Sequence, residues 1–428
     1  MKRLALNGGE PARSKPLPPN YPGAVMFGRG EAVGAAAVIG AQSPFRYYGP
    51  EPLHAVRELE ERMSASLGVP YVVGVSSCTA GLIVALKALG VGYGDKVIVP
   101  ANTFHATPGA VVCSNAVPVF ADVDDTLNID PAGIEKLIDD DVKAIVVVPI
   151  LGNPVDLDPI LEIARRRGVP VIEDAAQSCG ASYKGRPVGT MGDIGVFSFQ
   201  MNKILTAGEG GALATKDPAL FERAVRYHDQ GLFRESERYG IVANHSENAF
   251  IGQNYRMSEL AGAVLAAQWA KLDEIVAAMR RNAKAIRTGL EAALPPGSLR
   301  YRREPDPEGN IGSALGFILP SAAAANVFVQ ATAAENIQTF LLYGGRPAYM
   351  LPQFLQRRTA DKNGFPFDYP FASPVVYEEG MCPTAEDLVA RTVYLPVSPL
   401  LTETDVAEIV EGVASVVQHL MGTDDWMK

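Results

Sequence analysis

The chain has 428 residues, 47% hydrophobic and 20% charged, with a formal net charge of -10. That length exceeds what a single core supports, so two domains are expected. The acidic balance, with no basic run longer than Arg165-Arg166-Arg167, argues against nucleic acid or a membrane surface as partner.

The opening Met1-Lys2-Arg3-Leu4-Ala5-Leu6-Asn7-Gly8-Gly9 lacks the apolar core of a signal peptide, and no apolar run is long enough to span a bilayer. A cytoplasmic location is expected. Cys78, Cys113, Cys179 and Cys382 have neither metal nor redox spacing, so no metal site is expected and they read as buried small residues.

Residues 1–45 are rich in Pro and Gly and read as an irregular arm followed by a short helix. A helix over 53–67 ends at Gly68. Short apolar runs then alternate with helical patterns. Runs at 71–75, 97–100, 117–120, 144–149, 169–173 and 194–199 are separated by helices near 79–89, 105–113, 131–138 and 157–167. This alternation predicts βαβ units and a mostly parallel, doubly wound sheet, with strands apolar because both faces are covered. After Asp217 the pattern turns helical, with long Ala-rich helices over 258–290. Pro295-Pro296-Gly297 marks a boundary. The division expected is an arm at 1–45, a large α/β domain at 46–295 and a smaller α+β domain at 296–428.

Ligands of such sheets sit beyond the carboxyl ends of the strands, so the residues following each run carry the information. Ser77-Cys78-Thr79-Ala80 opens a helix with free N–H groups that suit a phosphate, although the same residues make an ordinary cap. Phe104 follows the second run and reads as a stacking aromatic or as core. Glu173-Asp174 ends the fifth run, where a buried carboxylate demands a cation or else caps a helix. Ser198 ends the sixth. Lys203 lies between that run and Gly208-Glu209-Gly210-Gly211, away from other cations. A lysine held in such a pocket can lose its proton by desolvation and form a Schiff base with a carbonyl. Together these parts suit pyridoxal 5′-phosphate.

The same residues resemble the DegT/DnrJ/EryC1/StrS sugar aminotransferases, of fold type I among pyridoxal-phosphate enzymes. The likeness runs from Gly8-Gly9 to Leu395-Pro396. It implies that Ser77-Cys78-Thr79-Ala80 forms the phosphate turn, with Cys78 where the family usually has glycine. It implies that Phe104 stacks on the cofactor ring, Asp174 faces the ring nitrogen, and Gln177 lies beside the phenolic oxygen. Ser198 is implied as a phosphate ligand and Lys203 as the catalytic lysine. Asn254, in Asn254-Tyr255-Arg256-Met257, is implied to reach the phosphate of a neighbouring subunit, hence a homodimer with shared active sites.

One departure stands out: Pro149-Ile150-Leu151-Gly152 replaces a segment in which many members carry His before Tyr-Gly. The spelling around Lys203 is closest to two branches. One comprises cyclitol aminotransferases and aminohydroxybenzoate synthases, the other aminates octulosonate sugars; Phe45-Arg46-Tyr47 and the insert at 232–248 lean toward the latter. Arg46, His228, His245 and Arg346 are candidates for contacting substrate hydroxyls or a carboxylate, although for each an exposed or core-satisfied position is the better single reading. The resemblance implies transfer of an amino group from glutamate or glutamine to a keto-sugar or keto-cyclitol, in secondary-metabolite or surface-glycan biosynthesis. Two alternatives are a sugar dehydratase or deoxygenase, disfavoured because those relatives carry His where Lys203 stands, and a non-catalytic regulatory protein on the same fold.

Overall fold

Val, Ile and Ala dominate the strands because helices cover both sides of the sheet they build. The computed structural model describes residues 3–240 and 248–421. In chain order its first strands are β1 (Tyr71–Val75), β2 (Lys96–Pro100), β3 (Val117–Ala121), β4 (Val142–Val147) and β5 (Val171–Asp174). A hairpin of β6 (Ser182–Tyr183) and β7 (Arg186–Pro187) precedes β8 (Ile194–Ser198) and β9 (Gly211–Thr215). Seven strands form one sheet in the order β1-β9-β8-β5-β4-β2-β3. Only β9 runs antiparallel to its neighbours, so β1, β2, β4, β5 and β8 all release the chain at the same edge. This is the α/β architecture expected. The sequence reading missed β9, whose Gly-Ala-Leu-Ala-Thr run lacks the large β-branched side chains that mark strands.

A second sheet holds β10 (Arg300–Tyr301), β11 (Ala314–Ile318), β12 (Phe340–Leu341) and β13 (Thr392–Pro396), antiparallel throughout in the order β10-β11-β13-β12. Leu315, Phe317, Val393 and Leu395 pack there against Phe328 of the helix Ala322–Ala334 and Val413 and Val417 of the helix Glu403–Leu420. The helix Leu272–Ala293 ties the two sheets together. Ile275 and Met279 enter the first core, and Ile286 and Leu290 the second.

Two segments pack far from their sequence neighbours. The N-terminal arm is anchored on the second sheet's helices. Glu335 accepts the N–H groups of Ala5 (2.8 Å) and Ala12 (2.7 Å), and Arg13 pairs with Asp405 (2.7 Å) and Glu408 (2.8 Å). Tyr349, Phe354 and Tyr377, from beyond β12, pack around Phe120 of β3 with ring centroids 5.3 to 5.9 Å away. Burying rings of this size contributes about 1.5–3 kcal/mol each, which fixes this late segment to the larger sheet. Cys78, Cys179 and Cys382 are buried as expected. Cys113 is exposed, a correction, because it closes a short helix facing outward.

Candidate active site

A cavity of about 840 Å³ opens where the parallel strands end. Seven of the expected residues line it: Cys78, Thr79, Phe104, Asp174, Gln177, Ser198 and Lys203. Ala80 and Asn254 do not. Ala80 is buried and donates its N–H to Ser77 Oγ (3.1 Å); Asn254 is exposed and bridges to Asp229.

Sheet register creates the phosphate-sized corner. Gly211 of β9 pairs with Val75 of β1 on one side and Ser198 of β8 on the other. Ser198 and the turn after β1 therefore flank the same glycine. A Cβ at Gly211 would lie 2.6 Å from the Ser77 carbonyl carbon and 2.7 Å from the Cys78 nitrogen, so only glycine lets the turn sit so close. Ser77 caps the helix Cys78–Ala88, leaving the N–H groups of Cys78 and Thr79 in its first turn, at the positive end of the helix dipole. The cap thus leaves the helix start free to receive an anion.

Asp174 and Glu173 are adjacent and both buried, but they face opposite sides of β5. Glu173 accepts the N–H groups of Gly189 (2.8 Å), Met191 (2.6 Å) and Gly192 (2.7 Å), organising the turn before β8. Asp174 faces the cavity. Its Oδ2 accepts from Thr107 Oγ1 (2.8 Å), which also bonds Thr103 (2.9 Å). Its Oδ1 accepts from the Ala176 N–H (3.2 Å) and the Cys78 thiol (3.7 Å). Burial pushes the Asp174 carboxyl above its ordinary range, against the pull of Thr107, the Ala176 N–H, Lys203 and Cys78. Burial, then the charge of Asp174, pushes the Cys78 thiol well up, so it stays protonated and able to donate. A carboxylate so placed has room for one more partner, a cation inside the cavity.

Lys203 sits on the loop joining β8 to β9. Its N–H donates to the Gln200 carbonyl (2.9 Å), and Phe199 N–H to Gly210 O (2.9 Å) closes the loop base. Its ammonium makes no ion pair among the described residues. The arm comes back here. Gly23 donates to the Lys203 carbonyl (3.2 Å), and a Cβ at Gly23 would lie 2.9 Å from the Ile204 carbonyl oxygen. Pro19, Asn20, Tyr21 and Pro22 thereby become cavity wall. The sequence reading missed them. The available signal was a polar pair held between prolines, which fix the backbone and present side chains outward.

The second sheet supplies the facing wall through Ser313, Gln338, Phe340 and Tyr343, also missed. Phe104 keeps 46% of its surface exposed, so it is a wall of the cavity rather than core, and Tyr343 lies against it at 5.9 Å. The substrate-contact candidates fare differently. Arg46 is 5% exposed and bound to Glu60 (2.7 Å), Glu235 (3.2 Å) and the Gly74 carbonyl (3.2 Å), which pins the segment before β1. His228 is fully buried, its Nδ1–H donating to Val225 O (2.5 Å). Arg346 is exposed. None of the three lines the cavity, and His245 lies outside the described residues. The Pro149-Ile150-Leu151-Gly152 segment does line it, through Leu151.

The model of the DegT/DnrJ/EryC1/StrS aminotransferase family matches residues 51–414. An L-glutamine:2-deoxy-scyllo-inosose aminotransferase from Streptomyces fradiae is 34% identical, across 97% of this chain and 98% of that enzyme. A GDP-perosamine synthase from Escherichia coli O157:H7 is 36% identical over 56% of this chain and 64% of its own. Among solved structures, 3-amino-5-hydroxybenzoic acid synthase superposes with a TM-score of 0.79 at 26% identity, covering 95% of this chain and 100% of that one. With strand ends, lysine and buried aspartate assembled as described, the chain belongs to the DegT/DnrJ/EryC1/StrS family and is a pyridoxal-phosphate-dependent aminotransferase.

Proposed function

We propose that the enzyme moves an amino group from L-glutamine, or glutamate, to a ketone on a free polyhydroxylated ring, a keto-cyclitol in preference to a nucleotide-linked keto-sugar. One observation carries this reading. Lys203 is the only basic side chain among the described residues that line the cavity. The polar remainder is largely amide and hydroxyl, from Asn20, Gln177, Gln200, Asn202, Ser313 and Gln338. Such groups match hydroxyls, whereas a diphosphate calls for Arg or Lys. The nearly full-length likeness to an inosose aminotransferase points the same way.

The residues present fit pyridoxal 5′-phosphate. Asp174, buried without a cationic partner, suits a protonated ring nitrogen, and the Ser77-capped helix start with Thr79 and Ser198 suits the phosphate. When bound, the cofactor supplies the electron sink that stabilises negative charge at the substrate carbon. Asp174, held by Thr107, keeps that sink protonated. Phe104, an exposed wall of the cavity, would cover one face of the cofactor ring, and the second N–H of the Gln177 amide would be available to its phenolic oxygen. Lys203 carries the proton: its amino group removes it at the donor's α-carbon and delivers it in the reverse sense to the keto substrate's carbon. Asn20, Gln200 and Gln338 hold ring hydroxyls and exclude water. We read Asn254, which is exposed and outside its own cavity, as serving a neighbouring subunit's site in a homodimer.

The test uses L-glutamine carrying nitrogen-15 at its α-amino group, offered with a panel of keto-cyclitols and GDP-linked keto-sugars. Label in an aminocyclitol is the expected result. Label only in the nucleotide sugar would replace the substrate assignment.

A further inference from the structure

Tyr343 owes its place in the cavity to an unusual piece of backbone. It has φ 53° and ψ 29°, in the left-handed region, and begins a turn continued by Gly344 and Gly345. Left-handed backbone is strained for a residue that carries a side chain. Leu151, also on the cavity wall, is left-handed as well (φ 50°, ψ 39°). A single side chain joins the two. The Leu151 N–H donates to Gln177 Oε1 (3.1 Å), and Gln177 Nε2 donates to the Tyr343 hydroxyl (2.8 Å). Ser313 Oγ donates to the Leu151 carbonyl (2.8 Å) and completes the clamp.

The direction of these bonds is forced. Leu151 can only donate through its N–H, so the Gln177 atom it meets is the oxygen, and the amide nitrogen must face Tyr343. The Tyr343 oxygen is therefore an acceptor in that bond, and its own proton points elsewhere. No described residue accepts it. Burial, the largest influence, raises the phenol's pKa, so the proton is retained. The Leu151 side chain in the same corner offers no polar group at all. An oriented donor beside an apolar neighbour, at the end of a strained turn, is how a site singles out one oxygen of a ligand.

We propose that the Tyr343 hydroxyl donates a hydrogen bond to a ring hydroxyl of the keto substrate, and that Gln177 and Leu151 position it to do so. Tyr343 is thus a specificity-determining residue, and the proposal rests on the aminotransferase reading above.

Tyr343→Phe removes one oxygen and leaves the ring against Phe104, so the fold is kept. Its kcat/KM is compared with wild type for the preferred ketone and for analogues lacking each ring hydroxyl in turn. The expected result is a loss of about 10- to 100-fold with the full substrate, mostly in KM. That loss disappears for one deoxy analogue, while kcat/KM for the wild type falls on the same deletion. Gln177 loses its acceptor equally with every analogue, so this disturbance cancels in the comparison. An equal loss with all analogues, or none, would overturn the proposal. A wild type that transfers label to no ketone would instead sink the aminotransferase reading itself.

Discussion

The cavity has two walls built by different means. One is made of strand ends: Ser77 to Thr79 follow β1, Asp174 and Ser198 close β5 and β8, and the register of Gly211 sets two of them side by side. The other is assembled from Pro19–Pro22 of the arm, Leu151 on the loop after β4, and Ser313, Gln338 and Tyr343 around the second sheet, with Gln177, Ser313 and left-handed backbone joining Leu151 to Tyr343. The first wall holds groups that any reaction of this type requires. The second, on the proposal above, selects what else fits. Chemistry is thus written locally, in strand–turn–helix units, and selectivity through long-range packing.

Substitutions on the first wall should sharpen that contrast, with Lys203→Ala having the largest effect. If Lys203 carries the proton as proposed above, amino transfer should fall by about 10³-fold or more, measured as single-turnover loss of label from the donor. Asp174→Asn preserves volume and removes the charge, and should slow the same step by about 10²–10³-fold with all ketones alike. A ketone-dependent effect there would blur the two walls.

The adjacent Glu173 is the control. Glu173→Gln leaves acceptors for only part of its three N–H groups, so denaturant unfolding should show a loss of about 2–3 kcal/mol while folded enzyme keeps its turnover. The smallest effect at neutral pH belongs to His228→Gln. Burial, with Arg46 and Arg256 nearby, lowers the His228 pKa from 6.5 to about 3. The unfolded chain therefore binds this proton more readily, so the stability due to neutral His228 is complete above pH 6.5 and lost as pH falls toward 3. That window is worth on the order of 4–5 kcal/mol, and thermal melts of His228→Gln should lose the corresponding acid sensitivity.

The same division explains what could be read from the sequence. β1 and β8 are apolar runs of ordinary strand length, and Ser77 and Asp174 follow such runs directly, so they were visible. β9 was not, because small residues carry no strand signature. Arg46 and His228 were candidates for substrate contact with a satisfied core position as the better reading of each, and both are held inside, one by Glu60 and Glu235 and the other by the Val225 carbonyl. Tyr343 escaped notice because little local distinguishes a loop tyrosine until distant segments close around it, and for Asn20 only the flanking prolines hinted at a fixed, outward-facing side chain. At Tyr343 the one trace was Gly344-Gly345, marking a turn tight enough to aim the side chain before it.

The central claim, that Lys203 and Asp174 act together in amino transfer to a ketone, is tested most directly by the visible absorbance of the holoenzyme. The band should fall on adding L-glutamine and recover on adding the accepting keto-cyclitol, and Lys203→Ala should show neither change. A wild-type band that ignores every amino donor would contradict the account.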